Sequence, residues 1–283
     1  MSREFVSMLE PTRAVQPWEI RHSRVNLVKD SFKLRTLLVL GALAQIGLLK
    51  LLPYKLALVP CTCLALHSVI TTIIQSVRGS RGSDFMQGVV TGRTTTQIPY
   101  AKTGLFGHDP AVHPIVVFHF GARFNHPLGV LCPGGNEITT HFKKCIAAVQ
   151  DQAEEYGLLG ITRWQSADRD THNTIMMVFY FQDVEGLHKF AHDKVHRDAW
   201  DWVNKGVPEH IGFFHETFCV PRKAYETLYT NMPPTLFGQA RVRCETDEDK
   251  KEWTSTLISA DSAQLRGQYG RMGRGGERNS KES

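Results

Sequence analysis

The sequence contains no CxxC pair. Its six cysteines are Cys61, Cys63, Cys132, Cys145, Cys219 and Cys244, and the first two lie inside a long apolar run. This spacing argues against a zinc ribbon, a disulfide framework and a cysteine-ligated iron–sulfur cluster. It predicts reduced, mostly buried thiols in a protein that faces the cytosol.

A strong net charge and a dinucleotide-binding motif are also missing. The formal charge is only +5, and much of the excess precedes residue 36 or follows residue 264. This pattern argues against a nucleic-acid partner. No G-x-G-x-x-G follows a strand-like run, so no redox dinucleotide is expected. The Gly- and Arg-rich end, residues 266–283, predicts a disordered tail, with RNA binding as the weaker alternative.

Two long apolar runs, residues 36–52 and 56–74, are present near the start, separated by a short break that contains Pro53. The second run has no charged residue and approaches the roughly 20 residues that a membrane-spanning helix needs. Lys50 stands near the end of the first run, where its side chain can reach the headgroups. The pair predicts a transmembrane helical hairpin. A buried hairpin in a soluble core is the alternative.

Positive charges flank this hairpin. Five positive residues precede it, namely Arg21, Arg24, Lys29, Lys33 and Arg35, and three follow it, namely Arg78, Arg81 and Arg93. Its turn carries only Lys50 and Lys55. Because positive charge tends to remain on the cytoplasmic side, both ends of the hairpin should lie in the cytosol. The prediction is a membrane protein, of the endoplasmic reticulum, whose folded domain faces the cytosol.

The chain is predicted to have five parts. Residues 1–35 form a polar segment, 36–75 the membrane hairpin, 76–113 a linker rich in Gly, Ser, Thr and Arg, 114–245 the folded domain, and 246–283 the disordered tail.

Hydrophobic periodicity within residues 114–245 predicts an α+β fold. Strand patterns cover 115–120, 160–166, 174–181 and 210–220, and a helical pattern extends from 138 to 156. A second helical pattern starts at Asp183. The order β-α-β-β-α-β is that of the ferredoxin-like fold, with both helices on one face of an antiparallel sheet. The other face is apolar, and its usual cover is the sheet of a second copy.

The stretch "FAHDKVHRDAWDW" carries closely spaced histidines. On a continuous helix, His188, His192 and His196 form a row along one flank. This spacing can hold a metal, but the sequence shows no third ligand, so no metal site is predicted. Asp193 can cap a new helix and would then break the row. A solvated flank and a pocket role for His196 are the remaining interpretations.

The same stretch, together with "HIGFFHETFCVPRKAYETLYTNMPPTLFG", resembles the fungal monooxygenase family typified by the fumagillin-pathway enzyme. The resemblance covers roughly residues 80–243 and includes the apolar N-terminal pair. It implies the dimeric α+β barrel of the antibiotic-biosynthesis-monooxygenase type. It also implies oxidative tailoring in fungal secondary metabolism, without naming the substrate.

The resemblance further implies oxygenation without flavin or metal. The substrate would be small, hydrophobic and electron-rich, such as a polyketide, terpenoid or phenolic intermediate, and dioxygen would be the co-substrate. The protein must supply a general base, a dry pocket and donors for an oxyanion. Two alternatives stay open: a haem enzyme of the same barrel type, and a non-catalytic carrier or scaffold for a hydrophobic intermediate.

Histidines are the candidate bases, because their ordinary pKa near 6.5 suits proton abstraction. His119 and His215 lie within strands, and His196 lies near the end of the second helical region. Trp164 and Trp200 are candidate walls for an aromatic substrate, and Arg123 and Asn125 are candidate oxyanion donors. The structural alternatives are hydrogen-bonded core histidines and aromatic packing.

Overall fold

A computed structural model describes residues 4–15, 17–18, 31–78, 82–166, 173–245 and 251–275. The helices are α1 Leu34–Leu51, α2 Tyr54–Val77, α3 Gly135–Asp151, α4 Val184–Ala191, α5 Lys194–Asn204 and α6 Gln268–Arg271. The strands are β1 Val90–Thr96, β2 Ile115–Phe124, β3 Leu158–Gln165, β4 Thr174–Phe181, β5 Ile211–Val220, β6 Tyr229–Met232, β7 Arg241–Glu245, β8 Lys251–Ser255 and β9 Leu257–Ser259. The flanking charges Arg21, Arg24, Lys29 and Arg81 and the end of the predicted tail, 276–283, lie outside the described residues.

Helices α1 and α2 form the predicted hairpin. Pro53 precedes α2, where its fixed φ suits a helix start and its missing N–H is no loss. The Gln45 amide donates to the Ala57 carbonyl at 3.1 Å, and the Cys61 thiol donates to the Gln45 side-chain oxygen at 2.8 Å. By length and composition, both helices are long and apolar enough to cross a bilayer. Membrane insertion stays a prediction.

The central sheet has four antiparallel strands in the order β3-β4-β2-β5. Helix α3 connects β2 to β3, and α4 and α5 connect β4 to β5. This confirms the predicted β-α-β-β-α-β order, although the second helical region is two helices instead of one. The core between sheet and helices includes Val149, Phe179, Phe181 and Leu187.

The prediction that residues 76–113 are a linker and residues 246–283 a disordered tail is wrong over much of both ranges. Strand β1 lies within 76–113 and pairs with β6 and β9, and β8 lies within 246–283 and pairs with β7. Thr94, Thr95 and Thr96 are buried there. The threonine run lacks an alternating apolar pattern, so its sequence alone is typical of a loop. It forms a strand because β6 and β9, which are distant along the chain, pair with it.

The chain itself covers part of the sheet face that is opposite to the helices. Val178 and Tyr180 of β4 pack in one buried cluster with Phe237, Ala240 and Val242, which follow β6 along the chain. The predicted cover was the sheet of a second copy, but on the β3–β4 side the chain itself covers this face. On the β5 side, Phe214 and Phe218 remain 36% and 48% exposed.

The N-terminal segment joins the same region. Ser7 bridges to Ile258, and Thr12 bridges to Trp253. The indole N–H of Trp18 donates to the Gln239 carbonyl at 3.1 Å, and the Trp18 carbonyl accepts from the Gln150 amide at 3.0 Å. The first segment therefore contributes a buried tryptophan to the core, which the sequence pattern did not predict.

The cysteines are only partly as predicted. All six are free; Cys132 and Cys244 are buried and Cys145 is half-buried, whereas Cys61, Cys63 and Cys219 are exposed. The expectation of mostly buried thiols is wrong because Cys61 and Cys63 lie on the exposed surface of the hairpin and Cys219 lies on the edge strand β5.

Candidate active site

A cavity of about 520 Å³ lies between the helices and the facing side of the central sheet. Its walls are largely aromatic and aliphatic. The aromatic lining comprises Phe118, Phe120, Phe142, Phe179, Phe190, Trp200, Trp202 and Phe213. His141, His188, His196 and His215 are the histidines among the described lining residues. An apolar pocket with a few polar groups is the usual form of a small-molecule site.

Strand alternation decides which predicted strand residues reach this cavity. Phe118 and Phe120 of β2 face the helices, so His119 between them faces the opposite side of the sheet. His215 of β5 pairs with Phe120 and lines the cavity, where its ring lies 6.0 Å from that of Phe118. His119 instead pairs with Glu216, with 3.4 Å between Nδ1 and Oε2. The structure thus places His215, but not His119, at the candidate site.

A break in the helical region positions His196. Helix α4 ends at Ala191, and the Asp193 carboxylate caps α5 by accepting the Val195 N–H at 2.7 Å. In a continuous helix that N–H would bond to the Ala191 carbonyl. The carbonyl is left free by the cap, and it accepts a hydrogen bond from His196 Nδ1 at 2.9 Å. Asp193 therefore breaks the histidine row, as its capping preference indicated.

This hydrogen bond fixes the tautomer of His196. A carbonyl can only accept, so Nδ1 must carry the proton. In the neutral imidazole, Nε2 then holds the free lone pair. No hydrogen-bond partner of Nε2 occurs within the described part of the chain, and the ring contacts Phe190 edge-on at 5.2 Å between centroids. A neutral His196 is thereby prepared to accept a proton at Nε2.

His141 and His188, which were not predicted as site residues, also line the cavity. His141 of α3 stacks on Trp202 with 5.1 Å between ring centroids, and it follows Ile138 at helical spacing, which was an available signal. His188 was expected to face water; its side chain is exposed, yet it lines the cavity. His192 is not among the lining residues and bonds through Nδ1 to the His188 carbonyl at 2.8 Å.

Cys145 adds a thiol to the wall. Burial, with a smaller effect from the nearby Asp193 carboxylate, raises the pKa of Cys145 to about 11. A thiol with so high a pKa stays protonated at neutral pH. Since the thiolate is the reactive form, Cys145 serves as an apolar wall residue here and not as a nucleophile.

The predicted substrate-binding residues are separated from one another. Trp200 lines the cavity, but Trp164 lines a second cavity near the outer edge of β3. Arg123 donates from Nε to the Asn125 side-chain oxygen at 2.9 Å, and neither residue lines either cavity. The geometry does not support the predicted role of Arg123 and Asn125 as hydrogen-bond donors to an oxyanion. Among the described residues no group of three or more His, Cys, Asp or Glu side chains is arranged to hold a metal.

Residues 115–237, which contain all elements of this cavity, match the family model for monooxygenase af470-like proteins. The chain is also similar to monooxygenase af470 of Aspergillus fumigatus, with 38% identity over 279 residues, or 97% of this chain and 99% of the relative. The chain belongs to the monooxygenase af470-like family. Membership in this family makes it an oxidoreductase, and it confirms the resemblance to a fungal monooxygenase family.

Solved structures show weaker likeness. SnoaB, a cofactor-independent oxygenase from Streptomyces nogalater, shares 13% identity at a TM-score of 0.27, covering 37% of this chain and 90% of SnoaB. A putative monooxygenase from Lactobacillus acidophilus shares 12% identity at a TM-score of 0.29, covering 49% and 51%. An aldoxime dehydratase shares 17% identity at a TM-score of 0.35, covering 54% and 45%.

Proposed function

We propose that this family member is a cofactor-independent monooxygenase that oxidises a small, electron-rich, hydrophobic substrate in the cavity between sheet and helices. The observation that carries this proposal is the position of His196 in an aromatic wall, with Nδ1 bonded to the Ala191 carbonyl and Nε2 free. An apolar pocket selects an apolar substrate, and a tautomer-fixed imidazole supplies the general base that such chemistry needs.

The proposed reaction needs no external reductant. His196 Nε2 takes a proton from an acidic carbon of the substrate, and the carbanion gives one electron to dioxygen. The resulting substrate radical and superoxide combine into a peroxide. Loss of water from the protonated peroxide leaves a carbonyl, so the net change is a CH₂ group plus O₂ to C=O plus H₂O. All electrons come from the substrate.

His215 is the second candidate for a direct role. It shares the cavity with His196, from the opposite wall, on the sheet. When protonated, His215 can donate a hydrogen bond to the developing oxyanion, a contribution that is large in a water-poor site. Trp200 and the phenylalanines of the wall hold the substrate by apolar contact.

We further propose that the α1–α2 hairpin anchors the enzyme in a membrane, with the endoplasmic reticulum and a cytosolic domain as the expected arrangement. The exposed apolar surface of both helices supports this proposal. A bilayer would also concentrate a hydrophobic substrate close to the domain. A role in fungal secondary metabolism belongs to the same proposal, and so does a homodimer whose sheets close into a barrel.

Labelled oxygen tests the catalytic proposal. The full-length protein in lipid nanodiscs is incubated under ¹⁸O₂ with extract from a strain that lacks the gene, in which the substrate accumulates. The expected product is a compound that gains one labelled oxygen atom without added flavin, metal or nicotinamide. Incubation under nitrogen is the control and should give no product.

The alternatives predict other outcomes. A Soret band in the purified protein that disappears together with activity would identify a haem enzyme. Pathway flux that persists when His196 and His215 are both replaced by alanine would identify a carrier or scaffold. Either result overturns the proposed function.

A further inference from the structure

A second cavity, of about 760 Å³, lies at the outer edge of β3 and shares no lining residue with the first. One part of its wall is apolar and aromatic and includes Ile161, Trp164, Met232 and Pro233. Trp164 and Met232 are each 44% exposed. The residues Pro17, Trp18, Gln87 and Gly88 also line it, so the N-terminal segment and the stretch before β1 both contribute.

The charged groups in this wall have one sign. Arg163 and Arg241 line the cavity, and the described lining contains no aspartate or glutamate. Arg241 donates from Nη1 to the carbonyl oxygens of Glu10 and Trp253, at 3.4 and 3.2 Å. Within the described ranges it has no carboxylate partner, although it is half-buried. A half-buried cation that is bonded only to neutral carbonyls is costly unless an anion joins it.

Thr162 and Trp164 are two positions apart on β3, which places them on the same face of the strand, and both line this cavity. Thr162 is only 7% exposed, and its Oγ1 is fully buried without a hydrogen-bond partner among the described residues. An oxygen that water cannot reach cannot bond a ligand in the cavity, so the Thr162 hydroxyl has no part in the site. Trp164 is the accessible apolar group on this face of β3.

The cavity also lies close to the end of the hairpin. The Gln75 amide, near the end of α2, donates to Asp84 Oδ2 at 2.5 Å, and its oxygen accepts the Asp84 backbone N–H at 2.9 Å. Gln87, a lining residue, follows Asp84 by only three positions, a reach of roughly 10 Å at most. An anionic molecule with a long apolar part can therefore reach this cavity from the surface of a bilayer.

We propose that this second cavity is a binding site for the carboxylate or phosphate group of an amphipathic molecule. Arg241 binds the anionic group, and Trp164 and Met232 hold the apolar part. The site shares no lining residue with the cavity that contains His196. Two sources share this chemistry, namely a free long-chain carboxylic acid and the headgroup of an anionic phospholipid.

Photo-crosslinking tests the site in the full-length protein in phosphatidylcholine nanodiscs. Three probes carry a diazirine on the alkyl chain: palmitic acid, the matching alcohol, and phosphatidic acid. Mass spectrometry measures labelling of the peptide that contains residues 231–239, which separates this cavity from the histidine-lined one. The acid, the phosphatidic acid or both should label this peptide, and the alcohol should not. The probe that labels it identifies the source.

Variants test the assigned residues. Arg241→Gln should reduce the labelling of this peptide about tenfold or more, because a hydrogen bond to a charged group is lost. Arg241→Lys should retain part of it. Arg222→Gln removes the same charge at an exposed position and should change nothing. Equal labelling by the alcohol, or full labelling of Arg241→Gln, overturns the proposal.

Discussion

His196 differs from the other predicted histidines in its hydrogen bond. His215 lines the cavity without a described hydrogen-bond partner, and His119 lies on the opposite face of the sheet beside Glu216. Only His196 both lines the cavity and has its proton fixed on Nδ1 by a backbone carbonyl. A general base works best when its tautomer and orientation are set before the substrate arrives.

Replacement of His196 by alanine should therefore reduce turnover by about 10²–10⁴-fold, the usual contribution of a general base. The measurement is the rate of labelled-oxygen incorporation, with thermal melting to detect misfolding. His192→Ala is the matched control, because His192 is exposed and does not line the cavity. Equal turnover of His196→Ala and wild type would remove His196 from the mechanism.

The burial of Tyr180 predicts that the folded protein loses stability at alkaline pH. Burial raises the pKa of Tyr180 to about 12 in the folded protein, from an ordinary value near 10. Folding thus favours the neutral phenol. The stabilisation is fully present below about pH 10 and is lost as pH rises through 12.

The melting temperature should consequently fall between about pH 10 and 12, with a smaller fall in Tyr180→Phe, which cannot ionise. Tyr269→Phe, at an exposed tyrosine, is the control and should keep the wild-type profile. Identical pH profiles for Tyr180→Phe and wild type would contradict this prediction.

At the scale of elements, the sequence predicted those helices and strands that have a clear local hydrophobic pattern. Strand β4 was predicted with its observed limits, because a run of eight residues rich in β-branched and aromatic side chains lies between two polar stretches of the sequence. The short β1 was missed, because its threonines become a strand only through β6 and β9, which are distant along the chain. Trp164 was placed on a strand correctly, but its cavity depends on Met232 and Arg241, which no local pattern connects to it.

The break between α4 and α5 is the element that connects folding to the site. The Asp193 carboxylate accepts the Val195 N–H at 2.7 Å and the Tyr156 hydroxyl at 3.1 Å. Asp193→Ala should cost about 0.5–2 kcal/mol in the free energy of unfolding, as the loss of an N-cap does. It should also reduce turnover, because the Ala191 carbonyl could return to Val195 and release His196.

Asp193→Asn is the informative control. Asparagine caps helices about as well as aspartate, so stability and turnover should both stay close to those of wild type. Chemical denaturation and labelled-oxygen turnover measure the two effects. Loss of turnover in Asp193→Asn with retained stability would show that the charge of Asp193, and not its cap, is what the site requires.

At the scale of the whole molecule, the α1–α2 hairpin is the proposed membrane anchor. α1 and α2 expose leucine, isoleucine and valine side chains over most of their length, an arrangement that water disfavours. The full-length protein should therefore remain in the membrane pellet after a carbonate wash. A form in which a flexible polar linker replaces residues 34–77 is the comparison, because it keeps the N-terminal segment that packs on the domain. Release of the full-length protein into the supernatant would contradict the anchor.

The exposed phenylalanines of the edge strand β5 predict that two copies of the protein associate. Phe214 and Phe218 lie partly exposed on the face opposite to the helices. Gly121 permits the Phe214 ring to lie directly across β2, because a Cβ at this glycine would be 2.3 Å from the ring. The result is a flat aromatic surface beside the unpaired edge of β5. Exposed apolar surfaces of this kind are usually buried in an interface, and we predict that this one joins two copies related by a two-fold axis.

The detergent-solubilised protein should be a dimer by light scattering corrected for bound detergent. Phe218→Glu should shift it to monomers, because the new carboxylate would lie two residues from Glu216 on the same strand face, and burial of two like charges is costly. Leu105→Glu introduces the same charge at another exposed apolar position and should leave the dimer intact. Since the His196 cavity lies on the helix side of the sheet, a folded Phe218→Glu monomer should retain its catalytic groups. A wild-type protein that is monomeric at micromolar concentration would contradict the dimer and leave this aromatic surface to another partner.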